Sequence, residues 1–217
     1  MSPAQPTRRR SDAVANRVAL LDAAEQVLLR DGPGAPLDVV AREAGVGIAT
    51  LYRNFADREE LCAAVVHRSY ELLAALAGEA EHSTARPLDA LAGFFHRLME
   101  ERRHLALPLL GTPGPLPGQG DPLGPQITRS LTEVLNRGID DGSVRPDATA
   151  TDLIVTGAML AHAQLPADDW DRAARRIVAL LLDGLRARPD TPRLPAGLTR
   201  GQLDQAMTRT PTDRATD

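Results

Sequence analysis

Thr50, Tyr52, Arg53, Asn54 and Arg58 bring hydroxyl, carboxamide and guanidinium groups together in one short stretch of the chain. The chemistry open to them is hydrogen bonding to fixed polar edges. Thr50 and Tyr52 offer hydroxyl donors, Asn54 a carboxamide that can bond adenine in bidentate fashion, and Arg53 a guanidinium that suits guanine. Arg58 falls at the expected N-terminus of a helix, where a phosphate is already favoured. Ile48 and Ala49 carry no polar side-chain group and suit contact with thymine methyls instead.

Such groups need short, rigid elements to present them. Between Leu37 and Phe55, the residues Val40, Ala41 and Ala44 fall at i, i+1 and i+4 and give a short helix one apolar face. Gly45 can take the left-handed conformation that ends it, with Val46 turned toward the core. A second short helix, Ile48 to Asn54, follows at once, with Leu51 and Phe55 at i and i+4 as its buried contacts. Two short helices joined by a tight glycine-containing turn form the helix-turn-helix unit, whose second helix docks in the DNA major groove.

The pattern Val40-Ala41-x-x-Ala44-Gly45-Val46, then Thr50-Leu51-Tyr52-x-x-Phe55, then Asp57-Arg58-Glu59-Glu60-Leu61 resembles the DNA-binding domain of the TetR family of bacterial transcriptional regulators. The resemblance covers about residues 13–73. It implies that Gly47, Ile48, Ala49 and Asn54 face bases while Thr50, Tyr52 and Arg58 meet the phosphate backbone. It also implies a homodimer on palindromic double-stranded operator DNA.

The charge balance shapes how DNA would be held. The 217 residues carry a formal net charge of -4, and residues 1–60 hold eight arginines against nine carboxylates. Affinity must therefore come from local placement of Arg8 to Arg10, Arg17, Arg53 and Arg58 and from helix dipoles. The chain has no lysine, so every cationic contact is an arginine. The single cysteine, Cys62, excludes an intrachain disulfide and fits a reducing cytoplasm, where it is expected to be a small buried hydrophobe. No apolar run approaches the ~20 residues of a membrane span, and no hydrophobic signal segment follows Arg8 to Arg10.

Other clusters carry weaker chemistry. His96, Glu100 and His104 stand at i, i+4 and i+8, a spacing that could hold a divalent metal but is more often a solvated face with a His–Glu hydrogen bond; no metal or cofactor is assigned. Phe94, Phe95, Leu98, Met99, Met159, His162 and Trp170 are the candidates to line a ligand cavity, each taken singly being more often plain core. There is no Gly-x-Ser-x-Gly elbow, no phosphate-cradling glycine loop and no His-Glu-x-x-His pair, which argues against an enzyme.

The elements around the motif read as all-α, about nine helices in two parts. Residues 1–12 read as a disordered basic arm, followed by a helix from Asp12 or Ala13 to Arg30 that Asp31-Gly32-Pro33-Gly34 ends. Asp57 is the expected N-cap of a linking helix to about Ala80, with Glu60 completing a capping box. A helix from Leu88 to about Leu105 follows, then Leu107 to Pro125, where six prolines and five glycines exclude a continuous helix. Further helices are expected from Leu123 or Pro125 to Asp140, from Thr149 or Thr151 through His162, and from Asp168 to Arg188. Residues 74–188 form the expected ligand-binding and dimerisation domain, and 189–217 a flexible tail with one short helix near Thr199 to Met207. Gly157, Ala158 and Ala161 on one of the last two main helices, and the two apolar sides of the other, point to a homodimer through that pair.

The expected function is a cytoplasmic, ligand-responsive repressor that leaves its operator when an unidentified small molecule binds the C-terminal part. The rival readings are a DNA-binding regulator whose C-terminal part only dimerises, and a helical-bundle enzyme.

Overall fold

The computed structural model describes residues 6–32, 34–105, 122–163 and 165–208. Among them lie ten helices: α1 (Pro6–Asp31), α2 (Leu37–Glu43), α3 (Ile48–Asn54), α4 (Arg58–His82), α5 (Pro87–Glu100), α6 (Arg102–Leu105), α7 (Leu123–Asp140), α8 (Ala150–His162), α9 (Ala167–Leu185) and α10 (Arg200–Thr208). The all-α expectation holds for the described residues, with one isolated antiparallel bridge between Val144 and Arg186.

Two apolar cores share one helix. Leu20, Ala24, Val27 and Leu28 of α1 pack with Val40 and Ala41 of α2, Leu51 of α3, Phe55, and Leu61, Cys62 and Val65 of α4. Further along the same α4, Ala74, Leu76, Ala77 and Ala80 belong to a second core with Leu91 and Phe95 of α5, Leu131 and Leu135 of α7, Leu153 of α8 and Trp170 and Ala174 of α9. Helix α4 runs unbroken from Arg58 to His82 and so ties the two cores through one continuous hydrogen-bonded element.

The start of α4 is capped from both sides of the turn. The Asp57 side chain accepts from the Glu60 N–H at 2.8 Å, as expected. Glu60 reaches back one residue further than a standard capping box, accepting from the Ala56 N–H at 2.6 Å. The box closes in its usual form on α8, where Thr149 and Asp152 each accept from the other's backbone N–H.

The structure departs from three expectations. Helix α1 begins at Pro6, so residues 6–12 are helix and not an arm; proline is tolerated in a first turn, where its missing N–H would have no partner anyway. Residues 1–5 lie outside the described residues. The helix expected from Leu88 to Leu105 is broken at Glu101, which makes ten helices in place of nine. No glycine or proline stands there. The break is held by tertiary contacts: His104 Nδ1 meets Glu25 Oε2 of α1 at 2.6 Å, Ser69 Oγ of α4 donates to the His104 carbonyl at 2.5 Å, and the Arg102 guanidinium lies 4.2 Å from the Trp170 ring centroid.

The third departure is the tail. Arg145, almost fully buried, donates to both oxygens of Asp147 at 2.6 and 3.1 Å, to the Gly184 carbonyl at 3.3 Å and to the Pro192 carbonyl at 2.5 Å. Asp147 in turn accepts from the Leu194 N–H at 2.7 Å. Residues 189–199 are thereby fastened to the bundle and α10 follows, with Arg200 donating to the Gly124 carbonyl and to Thr128 Oγ1 of α7. The remaining tail, 209–217, and most of the Pro/Gly-rich stretch, 106–121, lie outside the described residues.

Candidate nucleic-acid interface

The turn between α2 and α3 is set by Gly45, at φ 68°, a backbone conformation that costs other residues about 1–2 kcal/mol. The Val46 N–H donates to the Ala41 carbonyl at 2.9 Å and the Gly45 N–H to the Arg42 carbonyl at 3.1 Å. This is a Schellman closure, with Val46 as its apolar contact against the first core. Gly47 then opens α3, its carbonyl accepting from the Thr50 N–H at 2.8 Å.

Helix α3 is too short to hold itself. Leu51 and Phe55 are fully buried beneath it, and Arg17 of α1 fastens its far end. The Arg17 guanidinium donates to the Asn54 carbonyl at 3.1 Å and lies 4.4 Å from the Phe55 ring centroid. Arg17, expected as a phosphate contact, is therefore placed to position the helix. Only the distance in sequence hid that role.

The opposite face of α3 is open. Gly47, Ile48, Ala49, Tyr52 and Arg53 are exposed, with Ile48 at 41% and Tyr52 at 54%, while Thr50 and Asn54 are half-buried. An exposed isoleucine and tyrosine next to the open N–H groups of a helix start make a surface suited to base edges and phosphates. Two of the polar groups are held in place within the helix. Arg53 folds back on it, Nε to the Ala49 carbonyl at 3.2 Å and Nη2 to Thr50 Oγ1 at 2.8 Å, and Asn54 Nδ2 donates to the Thr50 carbonyl at 2.8 Å.

Arg58 has a second employment. Half-buried at the start of α4, it donates from Nη1 to the Ala35 carbonyl at 2.5 Å and so holds the loop before α2. Glu59 and Glu60 flank it in the first turn. Cys62, one turn on, is buried, and that burial pushes its thiol above the ordinary range, against a smaller opposing effect of the Arg58 charge. The side chains of Arg8, Arg9 and Arg10 lie outside the described ones.

Among the described side chains, the expected ligand contacts divide between the core and the surface. Phe94, Phe95, Leu98 and Trp170 are packed core; the two phenylalanine rings meet edge to face at 5.3 Å, and Trp170 Nε1 donates to the Leu160 carbonyl at 3.0 Å. Met99 is partly buried against that core, whereas Met159 is 70% exposed. The His162 side chain lies outside the described ones. The break at Glu101 also divides the histidine trio: His96 meets Glu100 at 3.3 Å on α5, while His104 faces Glu25.

Comparison with known proteins places this geometry. A model of the bacterial regulatory proteins of the tetR family matches residues 20–65, and one of the SbtR-like transcriptional regulator C-terminal domain matches residues 86–187. An HTH-type transcriptional regulator of Staphylococcus aureus is 35% identical over 60 residues, 27% of this chain and 32% of its own length. The chain thus spans about a third of the length of the curated relatives it matches. A solved TetR transcriptional regulator of Streptomyces coelicolor is 30% identical, with 79% of this chain and 98% of that one covered and a TM-score of 0.59. A gamma-butyrolactone receptor shares the fold at 18% identity, covering 91% and 94% of the two chains with a TM-score of 0.59. Both halves of the chain carry a match to such regulators, and the Streptomyces protein is covered almost end to end, so this chain belongs to the TetR family of transcriptional regulators, DNA-binding proteins and not enzymes.

Proposed function

We propose that the chain is a cytoplasmic, ligand-responsive repressor, a homodimer that binds a palindromic operator and leaves it when a small molecule binds. The observation that carries the reading is the single α4 rod shared by the two cores. A change of packing in the C-terminal core cannot be absorbed in such a helix and reaches α3 as a change of position. A ligand that favours one packing would shift the population toward it, and with it the separation of two dyad-related recognition helices.

On DNA, Gly47, Ile48, Ala49 and Asn54 face bases, with Arg53 swinging off Thr50 to reach guanine. Thr50 and Tyr52 meet phosphates, and Arg58 does so from the neighbouring turn. The dimer forms through α8 and α9, which is supported by the exposure of Met159, Ile177 and Leu180 on those helices. Apolar groups of that size in contact across two helices per protomer suit a four-helix contact.

The packing of Phe94, Phe95, Leu98 and Trp170 favours a second reading, a regulator whose C-terminal part only dimerises. One experiment addresses both: selection of bound sequences from a random DNA pool, repeated with Tyr52→Ala, followed by a screen for compounds that release the selected DNA. Enrichment of one palindrome, lost in the variant, supports operator binding. Release by some compound supports the repressor reading. Tight DNA binding that no compound alters leaves the dimerising regulator, and no enrichment at low salt sinks both.

A further inference from the structure

Between α1, α4 and the α5–α6 break lies a cleft of about 240 Å³ lined by Glu25, Arg68, Leu72, Glu101 and His104. At ~30 Å³ for each water-sized group it has room for about eight. It adjoins the C-terminal core through Leu72 and opens where the DNA-binding unit meets the rest of the chain.

Arg68 pairs with Asp22 at 2.5 Å and with Glu25 Oε1 at 3.8 Å, and the charge of Glu71 also bears on it. Glu101 stands on the cleft's other wall, half-exposed, its outer contact a 3.8 Å pair with Arg97. Among the groups that line the cleft the carboxylates are Glu25 and Glu101, with Arg68 and His104 facing Glu25. Glu25 is the telling member: it is 3% exposed, its Oε2 takes the His104 contact, and its buried Oε1 has no hydrogen-bond partner. A buried carboxylate oxygen without a donor is costly, and a charged donor satisfies it best. Leu72 supplies an apolar wall beside it.

We propose that this cleft binds a small organic cation, a primary ammonium group on a short alkyl chain, with the ammonium donating to Glu25 Oε1 and facing Glu101 while the alkyl part lies on Leu72. Metal ions fit less well, since no group of three suitable ligands gathers among the described residues. The site would act on DNA binding directly, because its walls belong to α1, α4 and α6; that consequence rests on the ligand-responsive reading above, whereas the binding itself does not.

The test uses the full chain without DNA. Thermal melting is followed against butylammonium chloride, with ammonium chloride and sodium butyrate at equal ionic strength as the other arms. A saturable rise with butylammonium, smaller with ammonium and absent with butyrate, is the expected result. Glu25→Gln, which keeps the side chain's shape, is expected to weaken butylammonium about tenfold or more, as loss of a charged hydrogen bond does. Should that variant fail to fold, Glu101→Gln at the rim, expected to weaken it a few-fold, carries the test. No saturation, an equal response to butyrate, or unchanged affinity in the folded variants overturns the proposal. Binding established in this way without any effect on operator affinity leaves the site standing and removes its link to repression.

Discussion

Helix α3 of the N-terminal unit and helices α8 and α9 of the C-terminal unit leave different kinds of side chain uncovered. The N-terminal unit buries Leu51 and Phe55 and turns the Tyr52 hydroxyl and the Arg53 guanidinium outward on α3 beside Ile48; the C-terminal unit fills its centre and turns Met159, Ile177 and Leu180 outward on α8 and α9. A polar face on a short helix keeps its donors hydrated until a partner with matching acceptors arrives. An apolar face on long helices is in water only at a cost. The contrast matches the two proposed roles, a first surface for a partner that comes and goes and a second for one that stays.

The sharpest way to break that contrast is to remove the anchor under the polar face. Phe55→Ala deletes a fully buried ring that also carries Arg17, and should cost about 3–5 kcal/mol in the N-terminal unit, seen by urea unfolding. DNA binding should vanish with it while α8 and α9 still associate. Next in size, Leu180→Asp places a charge in the proposed dimer contact and should weaken self-association about thirtyfold or more, read by sedimentation, with the monomer's fold retained. If the variant stays dimeric, the apolar face belongs to something else.

Asp57→Ala removes the cap of α4 and should cost about 1 kcal/mol, loosening the end nearest α3 before the end nearest α7. Hydrogen exchange along α4 reads the gradient directly. The smallest effect is expected at Asp147. Its hydrogen bond from Arg145 first, and that from the Leu194 N–H second, hold this carboxyl well below the usual carboxylate range. A depressed folded pKa stabilises above the unfolded value of about 4 and loses that contribution as the pH falls below it. The Leu194 N–H, which Asp147 holds, should therefore lose its hydrogen-exchange protection only as the pH falls well below that value, and Asp147→Asn should lose part of it already at neutral pH, where a neutral protease should also cut the tail faster.

The helix-turn-helix was legible because its signals are local. Gly45 ends α2, Thr50-Leu51-Tyr52 and Phe55 set the two faces of α3, and Asp57 opens α4, all within the reach of one turn or two. What the chain hid was decided at long range. Nothing near Glu101 breaks a helix, yet contacts from Glu25, Ser69 and Trp170 on three other helices do so. The Arg145–Asp147 pair looks like ordinary turn chemistry until its bonds to Pro192 and Leu194 are seen.

The length of α4 has a mechanical consequence. At 25 residues and ~1.5 Å of rise each, the helix is a lever of about 37 Å. A tilt of about 5° around its His82 end carries the Arg58 end through about 3 Å, close to the ~3.4 Å step between neighbouring base pairs along one strand. Two protomers tilting in opposite senses would double the error. In the proposed dimer, a rearrangement too small to notice at the far end of this rod would thus be enough to put two recognition helices out of register with one turn of DNA.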